Sequence, residues 1–211
     1  MSLDKLREEY TLAGLSEADL DPNPIRQFGL WMEQAVAAIV PEPNAMTLAT
    51  ANAAGRVSAR MVLLKEFDSR GFVFYTSHSS AKARQMSENP YAALVFYWTE
   101  LERQIRIEGM VEKVAREESE AYFHTRPRGS QIGAHASPQS SIIPDRAWLE
   151  GRVARLAAEF EGNEVPLPET WGGYRLKPVL FEFWQGRTNR LHDRLQYRSS
   201  AGIWLIERLS P

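Results

Sequence analysis

The sequence predicts a mainly β chain with peripheral helices, an α+β protein whose antiparallel strands close towards a barrel. Three observations lead there. Between residues 45 and 114 several segments have the composition and spacing of strands, and the connections between them are short and polar. The run Phe72-Val-Phe-Tyr75 is β-branched and aromatic, as strand interiors are. Helical patterns interrupt or flank this block without replacing it, and curling such a sheet into a barrel removes exposed edges.

Taken in order, Leu3, Leu6 and Tyr10 fall at helical spacing in a charged segment, the pattern of a short amphipathic arm. Residues 1–20 are read as an N-terminal arm or lid and residues 21–211 as a single domain. Asn23 is a good N-cap and Pro24 suits the first helical position. Ile25, Phe28, Trp31, Met32, Ala35 and Ile39 then mark an apolar face that ends before Pro41 and Pro43. Strands are expected over 45–51 and 57–65, around the hairpin loop Asn52-Ala-Ala-Gly-Arg56, and over 71–76 after the turn Asp68-Ser-Arg-Gly71. Two more, 91–99 and 104–114, surround Glu100-Leu-Glu-Arg103, which gives a five-strand meander. A helix over 81–89 follows Ser77-His-Ser-Ser80 and stops at Pro90; others are expected over 116–125 and 145–160. Residues 163–174 are loop. Val179, Leu180, Phe181 and Phe183 begin a strand expected to turn at Gly186 and continue, so that Arg190, His192 and Arg194 share a face. A last strand covers 202–209.

Composition removes several function classes. With 211 residues and 44% apolar content the chain can bury one sizeable core. A net charge of -2 argues against a general nucleic-acid coat. Zero cysteines exclude disulfides, thiolate metal sites and a cysteine nucleophile. The charged N-terminus does not resemble a signal peptide and no run approaches a membrane span, so a cytoplasmic protein is expected. Neither a Rossmann fingerprint nor a P-loop is present. His78, His124, His135 and His192 lack metal-ligand spacing, and no serine sits in a nucleophile elbow.

The remaining chemistry is local concentrations of cations and polar groups. Trp184 to Arg194 holds an indole, three guanidinium groups, an imidazole and a carboxylate, a set suited to a planar anion, or equally to a charged hairpin edge. Ser80 and Lys82 at a helix start offer a phosphate site, or ordinary capping. Arg126, Arg128 and Ser130 form a second anion candidate, and Arg60 and Lys65 bracket an apolar strand. Two phosphate-type sites in a nearly neutral chain suggest a pair of phosphorylated ligands, one a cofactor.

In combination these motifs resemble the pyridoxamine 5′-phosphate oxidase family of flavin enzymes. The resemblance rests on Arg60-Met-Val-Leu-Leu-Lys65, Phe74-Tyr-Thr76, Leu101-Glu-Arg-Gln104, Tyr122-Phe-His-Thr-Arg-Pro-Arg128, Ser130-Gln-Ile-Gly133, Gln139-Ser-Ser141, Pro166-Leu-Pro168, Trp171-Gly-Gly173, Phe183-Trp-Gln-Gly186 and Arg190-Leu-His-Asp-Arg194. It implies an FMN-binding split barrel, a homodimer with FMN in clefts at the subunit interface, and oxidation of pyridoxamine or pyridoxine 5′-phosphate by O2. It assigns FMN to Arg60, Met61, Val62, Leu63, Lys65, Tyr75, Thr76, Ser80, Lys82, Gln104, Gln139, Ser140, Trp184 and Arg194. Substrate falls to Lys65, Tyr122, Arg126 and Ser130, with Arg190 and His192 at the reacting ring and Arg7 and Tyr10 in a lid. No metal, nucleic-acid or membrane partner is implied. One departure stands out: the family commonly has arginine where this chain has Ala81, and Arg84, one turn later, is a candidate replacement.

Overall fold

A computed structural model of the chain describes residues 9–211, so Leu3, Leu6 and Arg7 lie outside the described residues. Its centre is an antiparallel sheet of nine strands: β1 Ala45–Ala51, β2 Val57–Leu63, β3 Glu66–Asp68, β4 Gly71–Ser77, β5 Tyr91–Trp98, β6 Arg103–Lys113, β7 Trp171–Gln185, β8 Asp193–Ser200 and β9 Ile203–Leu209. The main order is β2-β1-β5-β6-β7-β4-β3, with β8 on β7 and β9 on β8. The expected meander is therefore corrected. Tyr75 of β4 faces Gly173 of β7, more than ninety residues later, and β1 pairs with β5. Sequence adjacency failed here because the helix after β4 carries the chain to the far side of the sheet.

β7 is the long member. One edge pairs with β6 throughout, from Gln185 opposite Arg103 to Tyr174 opposite Lys113. Its other edge is divided, with residues 171–176 on β4 and 180–185 on β8. A register shift at Glu108/Gly109 lets this strand bend.

The inward faces carry alternate apolar residues, Met46 and Leu48, Leu94 and Phe96, Ile105 and Ile107, Phe181 and Phe183, all fully buried. Phe28 of the first helix, α1 Pro24–Ala37, touches both Phe72 of β4 and Phe96 of β5, with ring centroids 4.9 and 5.1 Å away. Those strands are separated in the sheet by β6 and β7, so the sheet curls around α1. The Asn23 side chain accepts hydrogen bonds from the Ile25 and Arg26 amides, as the N-cap pattern predicts. Ile39 lies past the helix and is 86% exposed, so it leaves the apolar face assigned to it. Gly55 adopts φ +75° in the predicted hairpin loop.

A second layer comprises α3 Arg116–Thr125, α4 Arg128–Ala136 and α5 Arg146–Glu159. Phe123, Ile132, Val165, Leu167 and Trp171 form its apolar centre, with Leu156 and Phe160 packed against them. The remaining helix, α2 Ala81–Glu88, follows β4. Tyr10 belongs to no helix, contrary to the helical arm expected there. Among the described residues no helix is long and apolar enough to cross a membrane.

Glu182 is nearly buried on β7 between Arg106 and Arg194, each 2.7 Å away. Burial alone would raise its pKa, but hydrogen bonds from the two guanidinium groups and their charges outweigh it and hold the carboxyl below the ordinary range. A depressed carboxylate stabilises the fold fully above its unfolded value of about 4.3, and that contribution fades as pH falls through the lower folded value. Glu182→Gln is expected to cost about 1–3 kcal/mol in urea unfolding at pH 7, with the difference from the parent closing in acid. Equal stability at pH 7, or a gap that widens in acid, would refute this account.

Candidate functional site

A cleft of about 630 Å³ opens between the strands β2 and β4 and the helical layer. Met61, Val62 and Leu63 of β2 line one wall with Lys65, while Tyr75, Thr76 and Ser77 of β4 and Lys82 of α2 line the base. Tyr122 of α3, Arg126, Ser130 of α4, Gln139 and Trp171 complete the opposite side. Met61 and Leu63 are exposed at 63% and 37% and present apolar surface to the cleft.

The electrostatics are one-sided. Lys82 is buried, with Nζ donating to Thr76 Oγ1 at 3.2 Å. Burial pulls its pKa below the ordinary lysine value and the nearby Arg60 charge pulls it further. Arg60 donates to the Leu48 carbonyl at 3.0 Å and Thr50 Oγ1 at 2.7 Å, both neutral. Arg126 has its Nη1 buried without a hydrogen-bond partner, and burial lowers its pKa too. Among the described residues no carboxylate stands within ion-pair distance of Lys82, Arg60 or Arg126. Buried cations without counter-charges are costly, and an anionic ligand relieves that cost. Lys82 sits in the first turn of α2, whose free amides add to the positive field. Ser80 is fully buried and accepts from the Ala83 amide at 3.4 Å as N-cap. Gln139 accepts from Thr76 Oγ1 at 3.0 Å and the Ser77 amide at 3.1 Å, which ties the 137–139 segment to β4. Arg84 donates to the Ser79 carbonyl at 2.5 Å, folded back over the same helix start.

A second cluster forms at the other end of β7. Gln104, Trp184 and Arg194 are direct cross-strand neighbours on β6, β7 and β8, so they stand in a row on one face. The Trp184 indole lies 4.6 Å from the His192 ring, and Tyr10 meets both edge-on at 5.6 Å. That approach requires Gly186, because a Cβ there would come within 2.7 Å of the Tyr10 ring. His192 Nδ1 accepts the Arg187 amide proton at 3.1 Å. Burial and the Arg190 charge both hold His192 below its ordinary pKa. Both effects favour the neutral ring, and because Nδ1 accepts a hydrogen bond the neutral ring carries its proton on Nε2. Arg194 is committed within the chain, donating to Glu182 at 2.7 Å and to the Ser210 carbonyl at 2.9 Å.

The cleft thus brings together Met61, Val62, Leu63, Lys65, Tyr75, Thr76, Lys82, Tyr122, Arg126, Ser130 and Gln139. Arg60 and Ser80 support it from behind. Ser140, next to Gln139, is exposed with φ +70° and does not line it. Gln104, Trp184, Arg190, His192, Arg194 and Tyr10 are absent from its lining. Trp171 and Trp184 lie thirteen residues apart on β7, roughly 40 Å of extended chain. The expected strand through residue 194 is corrected: β7 stops at Gln185, and a one-turn helix at Thr188–Arg190 precedes β8. Asn189 and Arg190 both take positive φ, +55° and +60°, which breaks the alternation that would have aligned Arg190 with His192 and Arg194. Ser77, Ser137 and Trp171 line the cleft and were not singled out as site residues from the sequence. Trp171-Gly-Gly173 was the signal available for the last of them.

Comparison with known proteins places this architecture. Residues 32–159 match the family described as pyridoxamine 5′-phosphate oxidase, and residues 171–211 match the pyridoxine 5′-phosphate oxidase C-terminal dimerisation region. The pyridoxine/pyridoxamine 5′-phosphate oxidase of Rubrobacter xylanophilus (strain DSM 9941 / JCM 11954 / NBRC 16129 / PRD-1) is 58% identical over 206 residues, 98% of this chain and 95% of that one. Its counterpart from Acaryochloris marina (strain MBIC 11017) is 56% identical over 210 residues, 100% and 96% of the two chains. The crystal structure of PhzG from Burkholderia lata 383 in complex with tetrahydrophenazine-1-carboxylic acid has TM-score 0.90 and 33% identity over 97% of this chain and 100% of that one. A pyridoxamine 5′-phosphate oxidase-related, FMN-binding protein of Nostoc punctiforme PCC 73102, at TM-score 0.71 and 18% identity over 90% and 98%, shares the split-barrel fold. With two family regions matched in order and relatives above half identity along the whole length, the chain belongs to the pyridoxamine 5′-phosphate oxidase family.

Proposed function

We propose that this chain oxidises pyridoxamine 5′-phosphate and pyridoxine 5′-phosphate to pyridoxal 5′-phosphate, with FMN as cofactor and O2 as acceptor. The observation that carries this reading is the cleft lined by three cations with no carboxylate partner among the described residues, Lys65, Lys82 and Arg126, in a chain of this family. Its residues fit a flavin phosphate, because Lys82 is buried at a helix start with only a hydroxyl as partner. When bound, FMN supplies the redox chemistry, taking hydride from the substrate C4′ carbon and delivering electrons to O2 with release of H2O2.

The protein's part is binding and alignment. Met61, Val62 and Leu63 offer an apolar wall for the flavin ring, with Tyr75, Thr76 and Gln139 at its edge. Ser80 and Lys82 hold its phosphate, and Arg60 reinforces the positive field. Lys65, Tyr122, Arg126 and Ser130 clamp the substrate phosphate, which turns binding energy into orientation. In a homodimer, Gln104, Trp184, Arg194, Arg190 and His192 complete the partner's cleft, with FMN between the subunits. Two facts support that division: one chain keeps the two clusters apart, and the second lies largely within the dimerisation region. His192 then presents an Nε2 proton to the substrate as a donor, and Arg190 sits near the reacting carbon. Residues 9–20 act as a lid through Tyr10. PhzG shows that the fold also serves a carboxylated tricyclic ligand; the Lys65, Tyr122, Arg126 and Ser130 set favours the phosphorylated pyridine here.

An anaerobic mix of FMN-loaded protein with pyridoxamine 5′-phosphate is expected to bleach the flavin, with colour and H2O2 returning on aeration. A flavin that stays bound and oxidised would overturn the substrate assignment. Lys82→Ala should weaken FMN binding by about 1.5–3 kcal/mol, read as quenching of flavin fluorescence on titration. Unchanged affinity would remove Lys82 from the phosphate site. Arg190→Ala is expected to keep bound flavin while turnover falls on the order of 100-fold; turnover at the parent rate would dismiss its role.

A further inference from the structure

Arg126 is held without a counter-ion. Its guanidinium carbon lies 4.6 Å from the Trp171 ring centroid and 5.6 Å from that of Phe123. Its backbone carbonyl accepts a hydrogen bond from the buried Gln131 amide at 2.9 Å. Nη1 is buried and unpartnered beside the cleft.

The Trp171 ring is itself fixed. It stacks with Tyr75 at 5.4 Å and 9°, and Tyr75 stacks with Tyr122 at 4.0 Å and 16°. Phe123 meets the Trp171 ring edge-on at 5.3 Å. Gly173 makes this ladder possible, since a Cβ there would meet the Tyr75 ring at 2.8 Å. Trp171 therefore presents a rigid π-face to the guanidinium.

We propose that Trp171 is a positioning residue for substrate recognition, holding Arg126 by its ring face so that the guanidinium keeps its full charge and a free N–H for a phosphate monoester. This deepens the oxidase reading and rests on it. A carboxylate in the same place would orient Arg126 equally well, but it would neutralise the charge and compete with the phosphate for the same N–H groups. An aromatic face orients a cation and leaves its edge donors open. At Arg175 the chain uses the carboxylate solution instead, with Asp68 and Glu118 gripping the guanidinium at 3.0 and 2.6 Å.

The test uses FMN-loaded, full-length protein. Replacing Trp171 site-specifically with mono-, di- and trifluorotryptophan weakens the ring's attraction for a cation with little change in shape. KM for pyridoxamine 5′-phosphate is expected to rise stepwise to roughly tenfold, with kcat and the FMN dissociation constant holding within about twofold. Pyridoxamine, which lacks the phosphate, should show no such trend, and Trp171→Phe should retain most of the affinity that Trp171→Leu loses. Calorimetric binding of inorganic phosphate should weaken in the same order. A flat KM series, or equal losses with and without the substrate phosphate, would overturn the inference while leaving the oxidase reading in place. If phosphate binding is graded across the series yet the parent protein oxidises neither compound, the positioning role stands and the oxidase reading falls.

Discussion

The hydrogen-bond ladder of β7 is the constraint from which the rest follows. β7, fifteen residues long, pairs with β6 between Tyr174 and Gln185 on one edge, and its other edge is shared between β4 and β8. Trp171, at the start, closes the cleft beside β4; Trp184, near the end, anchors the aromatic cluster beside β8. Because the strand is rigid along its length, the two chemical groups are held at a fixed separation. The curl around Phe28 sets their directions. The two candidate clusters are thus laid out along one strand, with α3 and α4 adding a wall to the end that holds the cleft.

Charge is handled in two ways. Glu182 and Arg175, both buried on β7, receive opposite charges, Glu182 from Arg106 and Arg194 and Arg175 from Asp68 and Glu118. In and behind the cleft the partners are neutral: Lys82 has a hydroxyl, Arg60 carbonyl and hydroxyl oxygens, and Arg126 an indole face. Neutral partners hold a cation in place at little cost to its field. The depressed lysine and arginine pKa values report that residual desolvation, which a phosphate ligand would relieve.

Local signals were legible in the sequence and non-local ones were not. Asn23 with Pro24 marked the start of α1, and Gly55 marked its hairpin, because each acts within a few residues. Helix α4 escaped notice because Pro127, Gly129 and Gly133 read as loop. Its stability comes from tertiary contacts, Ile132 in the second core and Arg152 donating to the terminal Ala136 carbonyl at 2.8 Å. The pairing of β4 with β7 spans about a hundred residues and has no local signature. Most cleft residues were legible through family motifs, yet the division into two clusters was not, since spacing along a chain says nothing about which end of a strand a motif occupies. Trp171 was visible as a motif without a role, because its meaning depends on Arg126, forty-five positions earlier.

The distance between the two ends of β7 also has a genetic side. If each catalytic centre draws one half from either chain, a lesion at Lys82 and a lesion at Arg190 damage different halves. Co-expressed, two such alleles assemble mixed dimers in which one centre inherits both defects and the other inherits neither. Each allele would be recessive alone yet restore the other's loss, whereas two alleles hitting the same half would not. On that proposed division, a strand too long to serve one pocket would let heterozygotes between two defective alleles recover activity.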